Sequence, residues 1–201
     1  MTIGRRAREW SASEGAALLE LLLATATLVS LAGMAIPLTA QAADDARARA
    51  AANHLAHQVR LARQQAVAGN RAAALVFDEV DGRWAMRTCL DGNGNGVRRA
   101  EVESGPDNCP RATPQVDQLF PGIQLVLPSD IPDLDAQTGD SRGIRFGRSA
   151  MASCTPLGHC TPGTFYVRSM RGQQYAVRVS GTMGRTRVLR FDTGTRHWTT
   201  N

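Results

Sequence analysis

An uncharged apolar stretch close to the N-terminus constrains this chain more than any other feature. No Asp, Glu or Arg occurs between Glu20 and Pro37, and the four residues before Glu20 are also apolar. About 20 consecutive apolar residues are enough to cross a hydrocarbon core of ~30 Å as a helix. Basic residues precede the stretch, at Arg5, Arg6 and Arg8, and such flanks favour a cytoplasmic N-terminus. The sequence therefore predicts one transmembrane helix, with the rest of the chain on the far side of the membrane.

A cleaved secretory signal is the alternative interpretation of the same stretch. Two observations argue against it. The segment after Pro37 continues as a helical pattern, whereas a mature secreted domain usually starts in a polar loop. Glu20 also places a carboxylate near the start of the apolar run, where a charge is costly unless another group pairs with it.

The residues around Glu20 resemble a known processing signal. Gly15 is followed by the segment AALLE, which ends at Glu20, and then by the apolar helix with Pro37. This arrangement is similar to the type III signal of type IV pilins and type II secretion pseudopilins. The resemblance implies that prepilin peptidase cuts between Gly15 and Ala16 and methylates the new N-terminal amine. Glu20 then stands at the family's fifth mature position, and Pro37 stands at its twenty-second.

The same resemblance implies a single-pass protein of the bacterial inner membrane with a periplasmic C-terminal domain. The implied partners are other pilins or pseudopilins of a filament, prepilin peptidase and an inner-membrane assembly platform. A carboxylate inside an apolar bundle is costly alone, so we expect Glu20 to pair with the methylated amine of a neighbouring subunit. We expect Pro37 to kink or locally melt the helix, because proline removes one backbone hydrogen bond.

A second helical stretch follows the apolar one. Residues 41–68 are rich in Ala and Arg and contain neither Gly nor Pro, and Gly69-Asn70 is a suitable C-cap. An apolar stripe recurs at helical spacing, at Leu55, Val59, Ala62 and Ala66. We predict one long helix over about residues 17–68, interrupted near 33–37, whose outer half packs on a sheet. The predicted boundaries are a leader at 1–15, a transmembrane half-helix at 16–37, a periplasmic half-helix at 38–70 and a β-rich domain at 71–201.

Short strand-like runs follow the helix. They lie at residues 72–77, 83–88, 123–127, 143–146, 164–169, 174–180 and 186–191. Clusters of Gly, Pro and Asp separate the runs, including 128–139, which we expect to be a loop. Tyr175, Val177 and Val179 alternate with other residues and predict a half-buried strand. A long helix followed by an antiparallel sheet is an α+β fold. The order of the elements resembles the GspH/FimT branch, which implies a pilin-like domain.

Charge is unevenly distributed along the chain. Residues 78–140 contain 5 Arg and 12 acidic residues, a net charge of −7, whereas residues 142–201 contain 10 Arg and one acidic residue, a net charge of +9. All 23 basic residues are Arg. A basic C-terminal third can meet a polyanion, or it can be a surface that keeps the protein soluble.

The basic third contains a glycine-punctuated stretch that ends in Gly184-Arg185-Thr186-Arg187. It resembles the G-R-x-R stretch of the GspH/FimT branch, and the resemblance implies DNA binding by Arg185 and Arg187. Arginines on such a turn can reach phosphates, and Arg178 and Arg190 lie close by in sequence. The alternative is a hairpin turn leading into the last strand. Trp198 could stack on a base, although we expect it to be buried.

Four cysteines predict two disulfides in an exported domain: Cys89, Cys109, Cys154 and Cys160. Three connectivities are possible. The pairs Cys89–Cys109 and Cys154–Cys160 are favoured because each closes a local loop that contains Gly or Pro. Zinc bound near His159 or His197 is the alternative, but no C-x₂-C is present. The sequence contains no G-x-S-x-G, H-E-x-x-H or P-loop motif, so we expect a structural protein and not an enzyme.

Inside the first loop, Asp91, Asn93, Asn95 and Gly96 match the first half of an EF-hand calcium loop. The twelfth position of that loop would be Val102 instead of Glu. A tight loop of residues that tolerate left-handed backbone is the favoured interpretation. A calcium site with oxygens from Asp91, Asn93 and Asn95 is the alternative, and we expect no other cofactor.

The predicted function is that of a GspH/FimT-like minor pilin or pseudopilin, assembled into a type II secretion pseudopilus or a type IV pilus. Its role would lie in protein secretion or pilus assembly. The alternative is a FimT-like minor pilin that binds DNA during natural transformation. An exported hydrolase with a plain signal peptide is a third possibility, and Glu20 argues against it.

Overall fold

A computed structural model describes residues 6–109, 115–134 and 142–200 of the chain. The chain divides into two compact units, Met1–Ala43 (unit 1) and Asp44–Asn201 (unit 2). A long N-terminal helix and antiparallel sheets confirm the predicted α+β, pilin-like class. Among the described residues, the buried apolar core lies entirely between Ala48 and Phe191. Unit 2 therefore has a core of its own.

Helix α1 is helical over Arg6–Gly69, Pro37 included. It begins earlier than the predicted residue 17, and the predicted interruption near 33–37 is wrong. Proline removes a single backbone hydrogen bond, and the flanking residues keep their helical conformation. The C-terminus matches the prediction closely: Arg71 N–H bonds to the Ala66 carbonyl at 3.2 Å, and the left-handed residue is Asn70 with φ 47°.

The part of α1 in unit 2 buries a stripe of mainly small residues. They recur three or four positions apart, at Ala48, Ala51, Ala52, Leu55, Ala56, Val59, Ala62 and Ala66. The predicted stripe is thus confirmed and extends further towards Asp44. Small side chains let the helix backbone approach the strands closely.

The described residues of unit 2 form eight strands in two antiparallel sheets. The three-stranded sheet has the order β2 (Arg83–Leu90), β1 (Ala73–Val80), β4 (Met151–Cys154). The five-stranded sheet has the order β3 (Ile144–Arg145), β5 (Gly163–Arg168), β6 (Gln174–Val179), β7 (Thr186–Asp192), β8 (His197–Thr200). Two short helices, α2 (Arg99–Ser104) and α3 (Val116–Leu119), lie between β2 and β3 in the chain.

The main core cluster contains residues of α1 and of both sheets, among them Leu55, Phe77, Phe165 and Val177. A second cluster lies on the other face of the three-stranded sheet, where Val102 of α2 packs with Ala74 and Val76. The three-stranded sheet is therefore covered on both faces over part of its area.

A third cluster covers the outer face of the five-stranded sheet, the face opposite α1. Residues 127–134 lie there, with Leu127 and Ile131 packed on Tyr166 and Ala176. The Tyr166 hydroxyl donates to Asp133 Oδ1 at 2.6 Å and accepts from the Leu134 N–H at 2.8 Å. Strand β6 is consequently buried on both faces, so the prediction of a half-buried strand is wrong. Alternation alone could not show that a loop folds back over Ala176.

Other elements also differ from the sequence prediction. Residues 123–127 are not a strand, because they pair only through isolated bridges of Gln124 with Arg168 and of Val126 with Arg142. Strands β4 and β8 and helices α2 and α3 were not predicted; each is six residues or shorter. Of the predicted loop 128–139, residues 128–134 form neither helix nor strand, and 135–139 lie outside the described residues.

Candidate functional site

The first candidate region is the apolar helix of unit 1. The large apolar side chains of unit 1 whose burial is described are 60–72% exposed: Leu18, Leu19, Leu21, Leu22, Leu23, Leu28, Val29, Leu31, Ile36 and Leu38. By length and composition this helix can cross a membrane. A soluble protein rarely exposes so large an apolar surface, so the helix requires lipid or other apolar helices around it.

Glu20 is the only charged residue between Gly15 and Ala43. Its side chain is exposed on the helix, as are Gly15 and Ala16. The polar hydroxyls of the segment are satisfied within the helix: Thr25, Thr27 and Ser30 donate to backbone carbonyls at 2.8–3.0 Å. Internal satisfaction of this kind suits a helix in lipid. The Glu20 carboxylate is the one group of the segment whose charge needs a partner from outside.

The second candidate region is the arginine-bearing hairpin between β6 and β7. Arg178 and Arg187 are direct cross-strand partners, so their side chains leave the same, outer face of the sheet. Arg185 lies immediately before β7 and two positions before Arg187, so it continues the row of side chains on this outer face. Arg185 and Arg187 are exposed, and within the residues described no hydrogen bond or ion pair involves their side chains. The structure thus brings Arg178, Arg185 and Arg187 together.

Arg190 is separated from these three residues. It pairs with Tyr175 in the sheet register and therefore lies on the α1 side. Its Nη2 is 3.6 Å from Asp45 Oδ1 of α1 and donates to Gln173 Oε1 at 3.2 Å. Proximity in sequence suggested that Arg190 belonged to the basic group, but its parity along the strand places it on the opposite face.

Gly184 holds the hairpin turn against the rest of unit 2. Its φ is +58°, and an added Cβ would lie 2.7 Å from Arg63 Cδ and 2.9 Å from Cys160 Sγ. The hairpin leads into β7, which is followed by β8, so it does not lead into the last strand. The turn interpretation and the exposure of Arg185 are compatible, because the glycine faces inward while the next residue points to solvent.

The cysteines pair as predicted from the local loops that they close, Cys89 with Cys109 and Cys154 with Cys160. All four thiols are consumed, which removes them as zinc ligands. Of the two histidines in the zinc alternative, His197 is exposed in β8, and His159 has its Nδ1 2.7 Å from the Thr182 carbonyl oxygen. Trp198 is half-buried: it packs on Tyr166 and Phe191, and its Nε1 donates to the Pro132 carbonyl at 2.8 Å.

The loop at 91–96 is closed by its own hydrogen bonds. The Asp91 carboxylate accepts backbone N–H groups of Asn93, Gly94 and Gly96 at 3.1, 2.8 and 2.8 Å. Burial raises the pKa of Asp91, but these N–H bonds outweigh burial and lower it overall. The Asn93 and Asn95 amides both donate to Glu101 at 2.8 Å. In the part of the chain that the structure describes, no group of three or more metal-binding side chains is found.

Two surface features have no signal in the sequence. A cavity of about 600 Å³ is lined by Asp81, Trp84, Asp117, Ile123 and Met170, among others. Far from it, Leu157 and Met183 are 83% and 63% exposed in two different turns. Each feature joins segments that are distant in sequence, so only the topology of the strands could reveal it.

Comparison with known proteins finds one family. The family model described as type II transport protein GspH matches residues 51–183. The match covers the end of α1 from residue 51 onwards, strands β1 to β6 and the turn with Met183. No curated protein and no solved structure matches the chain.

Proposed function

This chain belongs to the GspH family of type II transport proteins, and on that premise we propose that it is a minor pseudopilin of a type II secretion system. Membership of the family gives the general role as a pseudopilin. The finer proposal is that prepilin peptidase removes residues 1–15 and methylates Ala16. The mature chain then assembles with other pseudopilins through residues 16–37. An inner-membrane platform would drive that assembly.

The observation that carries this proposal is the contrast between Glu20 and its surroundings. One carboxylate lies in the unit 1 part of α1, where the described large apolar side chains are 60% exposed or more. A lone charge in lipid is expensive, and an amine from a neighbouring subunit would neutralise it. Cleavage after Gly15 creates such an amine on Ala16, four residues before Glu20. The pairing would set the register between subunits, so it would act in assembly and not in catalysis.

The same anchor supports a location. The basic residues before Gly15 favour a cytoplasmic N-terminus, which would place unit 2 in the periplasm. Two disulfides in unit 2 are consistent with an oxidising compartment.

Expression of the full chain with and without prepilin peptidase tests the processing step. We expect the peptidase to yield a product that begins at Ala16 and carries one added methyl group, read by intact-mass spectrometry. Gly15→Leu should block the cut because a large side chain replaces the glycine at the cleavage site. Cleavage at another bond, as by signal peptidase, would contradict the proposal.

Two matched carboxylate variants test the assembly step. Glu20→Gln should be processed but should lose incorporation into the pseudopilus and lose secretion. Glu14→Gln removes a carboxylate from the leader and should leave both unchanged. Photo-crosslinking from Leu28 to other pseudopilins measures incorporation. Equal crosslinking in Glu20→Gln and the unaltered chain would overturn the pairing of Glu20.

DNA binding is a second candidate function, favoured by the cross-strand pair Arg178 and Arg187 with Arg185 beside it. These arginines would contact phosphates without reading sequence. Oxidised unit 2 is titrated with double-stranded DNA at several salt concentrations. Arg185→Gln/Arg187→Gln should weaken binding and reduce the salt slope by about 2. Arg83→Gln/Arg98→Gln removes the same charge elsewhere and should have a smaller effect. No binding at low salt would remove this candidate.

A further inference from the structure

The cavity of about 600 Å³ opens between three segments of unit 2 that are distant in the sequence. They are the β1–β2 turn, the segment from α3 to residue 126, and the β5–β6 turn. Two apolar residues of the lining, Ile123 and Leu125, are buried. The volume is that of a typical ligand site. None of the lining residues belongs to unit 1 or to the β6–β7 hairpin, so the cavity is separate from both candidate regions described above.

The β1–β2 turn holds one carboxylate of the lining in place. Asp81 and Gly82 both have positive φ, 53° and 71°, and they lie between Val80 and Arg83, which pair across the hairpin. A two-residue turn of this kind matches the twist of the strands and orders the backbone. Asp81 is exposed, and within the described residues its carboxylate makes no hydrogen bond or ion pair. It is therefore free to bind a cation that enters the cavity.

Asp117 of α3 is the second carboxylate of the lining, and its pairing is incomplete. Its Oδ2 lies 3.3 Å from Arg83 Nε, but the Arg83 side chain is 59% exposed, so this ion pair is weak. Its Oδ1 is buried and, in the part of the chain that the structure describes, accepts no hydrogen bond. A buried carboxylate oxygen without a donor is costly. A bidentate donor that displaces Arg83 would satisfy both oxygens.

Trp84 adds an indole ring to the same lining. It is half-buried and packs against the main core cluster, which fixes the ring. A guanidinium group stacks on an aromatic ring and also binds a carboxylate with two parallel hydrogen bonds. A Lys ammonium is a point charge without that planar geometry. The combination of Trp84 with two carboxylates therefore favours an arginine side chain as the ligand.

Each of the three segments also carries an exposed apolar side chain. Val80 precedes Asp81, Leu119 ends α3, and Met170 lies in the β5–β6 turn; they are 45%, 40% and 78% exposed. A Cβ added to Gly122 would lie 2.7 Å from Met170 Sδ, so the Met170 side chain rests on the backbone of that glycine. Apolar side chains beside a charged centre favour a protein as the partner over a small cation, because a protein surface can bury them.

The charges next to the lining are of both signs. Glu79 is exposed on β1, and Arg171 is exposed beside Met170. Arg168 Nη2 lies 3.6 Å from a Cβ added to Gly172, so this guanidinium lies by the β5–β6 turn. Neither of these arginines lines the cavity. The lining itself has two carboxylates and one arginine, a net charge of −1. Pairing inside the cavity, and not the charge of the surrounding surface, therefore selects the ligand.

We propose that this cavity receives an arginine side chain from a different pseudopilin. The guanidinium stacks on Trp84 and pairs with Asp117, while Arg83 turns out to solvent. Apolar residues on either side of that arginine cover the exposed apolar side chains around the cavity. An arginine in a central pocket is a common anchor of protein interfaces. The inference rests on the proposed pseudopilin role and adds the site that holds a neighbour. A minor subunit contacts other chains, so the partner is not a second copy.

Photo-crosslinking of the full chain in membranes tests the docking site. The chain is expressed with prepilin peptidase and the other pseudopilins, and a benzophenone amino acid replaces Leu119. We expect an adduct with one other pseudopilin. Mass spectrometry should place the crosslink in a peptide of the partner that contains or adjoins an arginine. A crosslinked peptide with no arginine in or next to it would overturn the proposal.

Leu157 is the matched control position for the probe, because it is also an exposed leucine. It lies in the turn after β4, and the register of Ala73 with Cys154 places that turn at the start of β1. Val80 ends β1, seven residues on and about 23 Å away at ~3.3 Å per residue. We expect much less of the same adduct from Leu157 than from Leu119. Equal amounts would show non-specific contact and would overturn the proposal.

Variants with opposite expected effects test the charge of the cavity. Asp117→Asn should lower the adduct from Leu119 about fivefold, because the guanidinium loses its paired carboxylate. Arg83→Gln should raise it about threefold, because a competing cation is removed. A gain of this kind cannot arise from misfolding. Glu103→Gln removes an exposed carboxylate on α2 and should change nothing. Equal adducts in Asp117→Asn and in the unaltered chain would overturn the pairing.

A double-mutant cycle connects Asp117 to the partner. Glutamine in place of the mapped arginine of the partner should lower the adduct about as much as Asp117→Asn does. The two changes together should lower it little further, because both remove the same interaction. Independent effects that multiply would show that the arginine binds elsewhere.

A probe at Leu28 in the membrane helix separates failure of this inference from failure of the proposed function. Leu28 may form adducts with other pseudopilins while Leu119 forms them only with a second copy, with lipid or with nothing. That result would overturn the arginine site and leave the pseudopilin role standing. Loss of processing and of adducts from both positions would overturn both.

Discussion

The Tyr175 hydroxyl donates to Asp45 Oδ1 at 2.9 Å and so joins strand β6 to the first turn of α1 in unit 2, across 130 residues of sequence. Tyr175 is 1% exposed. Burial and then the hydrogen bond to the Asp45 carboxylate raise the pKa of Tyr175 to about 12. Both effects disfavour a second negative charge at this position.

This relationship predicts a loss of stability in alkali. The pKa of Tyr175 is higher in the folded chain than the value of about 10 for free tyrosine. Its contribution to the free energy of unfolding is therefore complete below pH ~10 and is lost as the pH rises towards about 12. Tyr175→Phe should flatten the pH dependence of the melting temperature in that window. The chain has two tyrosines, so the difference in tyrosinate absorbance between the unaltered chain and Tyr175→Phe reports Tyr175 alone. This difference should titrate with a midpoint near 12. A midpoint near 10 would contradict the prediction.

Substitution of Gly184 should destabilise unit 2 through steric overlap. Gly184→Ala places a Cβ 2.7 Å from Arg63 Cδ and 2.9 Å from Cys160 Sγ. Gly147 has the same φ of +58° and nothing within 4 Å of an added Cβ, so Gly147→Ala measures the backbone strain alone. We expect a loss of about 3 kcal/mol for Gly184→Ala and about 1 kcal/mol for Gly147→Ala in urea unfolding. Equal losses would show that Arg63 and Cys160 move aside from the added Cβ without a measurable cost in stability.

The Asp91 turn should stabilise unit 2 most at neutral pH. Its lowered pKa means that this contribution is present above pH ~4 and is lost as the pH falls through the folded value. Asp91→Ala leaves three backbone N–H groups without their acceptor and should cost about 1–3 kcal/mol. Melting curves between pH 7 and pH 2 measure both effects.

Asp192 is the matched control for Asp91. It also accepts two backbone N–H bonds, from Gly194 at 2.8 Å and Thr195 at 3.4 Å, and these lower its pKa. Asp192 is fully exposed to solvent, so Asp192→Ala should change stability less. A larger loss at Asp192 than at Asp91 would show that burial of the turn is unimportant.

The two disulfides should contribute unequally. Cys89 and Cys109 are 20 residues apart in sequence, and Cys154 and Cys160 are 6 apart. The entropy of loop closure in the unfolded chain predicts about 3 kcal/mol for the first bond and about 2 kcal/mol for the second. Urea unfolding of Cys89→Ala/Cys109→Ala and Cys154→Ala/Cys160→Ala compares them. A larger loss for the shorter loop would mean that local contacts around Gly158 outweigh chain entropy.

Periodic and local features could be predicted from the sequence. The stripe at Leu55 and Val59 follows helical spacing, and the cysteine pairs close short loops, so both were predictable. Burial that depends on segments distant in the sequence could not be predicted. The burial of Ala176 requires the loop with Leu127 and Ile131, which has no periodic signal.

The candidate arginines show the same limit. Arg178, Arg187 and Arg190 lie within 13 residues, and composition alone treats them as one basic group. Parity along β7 then separates Arg190 from the other two, and the register with β6 joins Arg178 to Arg187. Odd or even position along a strand shows which side chains share a face, but it assigns that face to solvent or to α1 only when the packing of the sheet is known.

The position of α1 at the start of unit 2 imposes an order on maturation. Residues Leu55 and Val59 are covered by Phe165 and Val177, which lie in the same core cluster but over 100 residues later in the chain. A chain that is synthesised from its N-terminus exposes this apolar stripe until the residues of β5 and β6 have been added. The core of unit 2 can therefore close only late in synthesis, and a chain stopped before residue 163 would leave the stripe exposed to aggregation or to a chaperone.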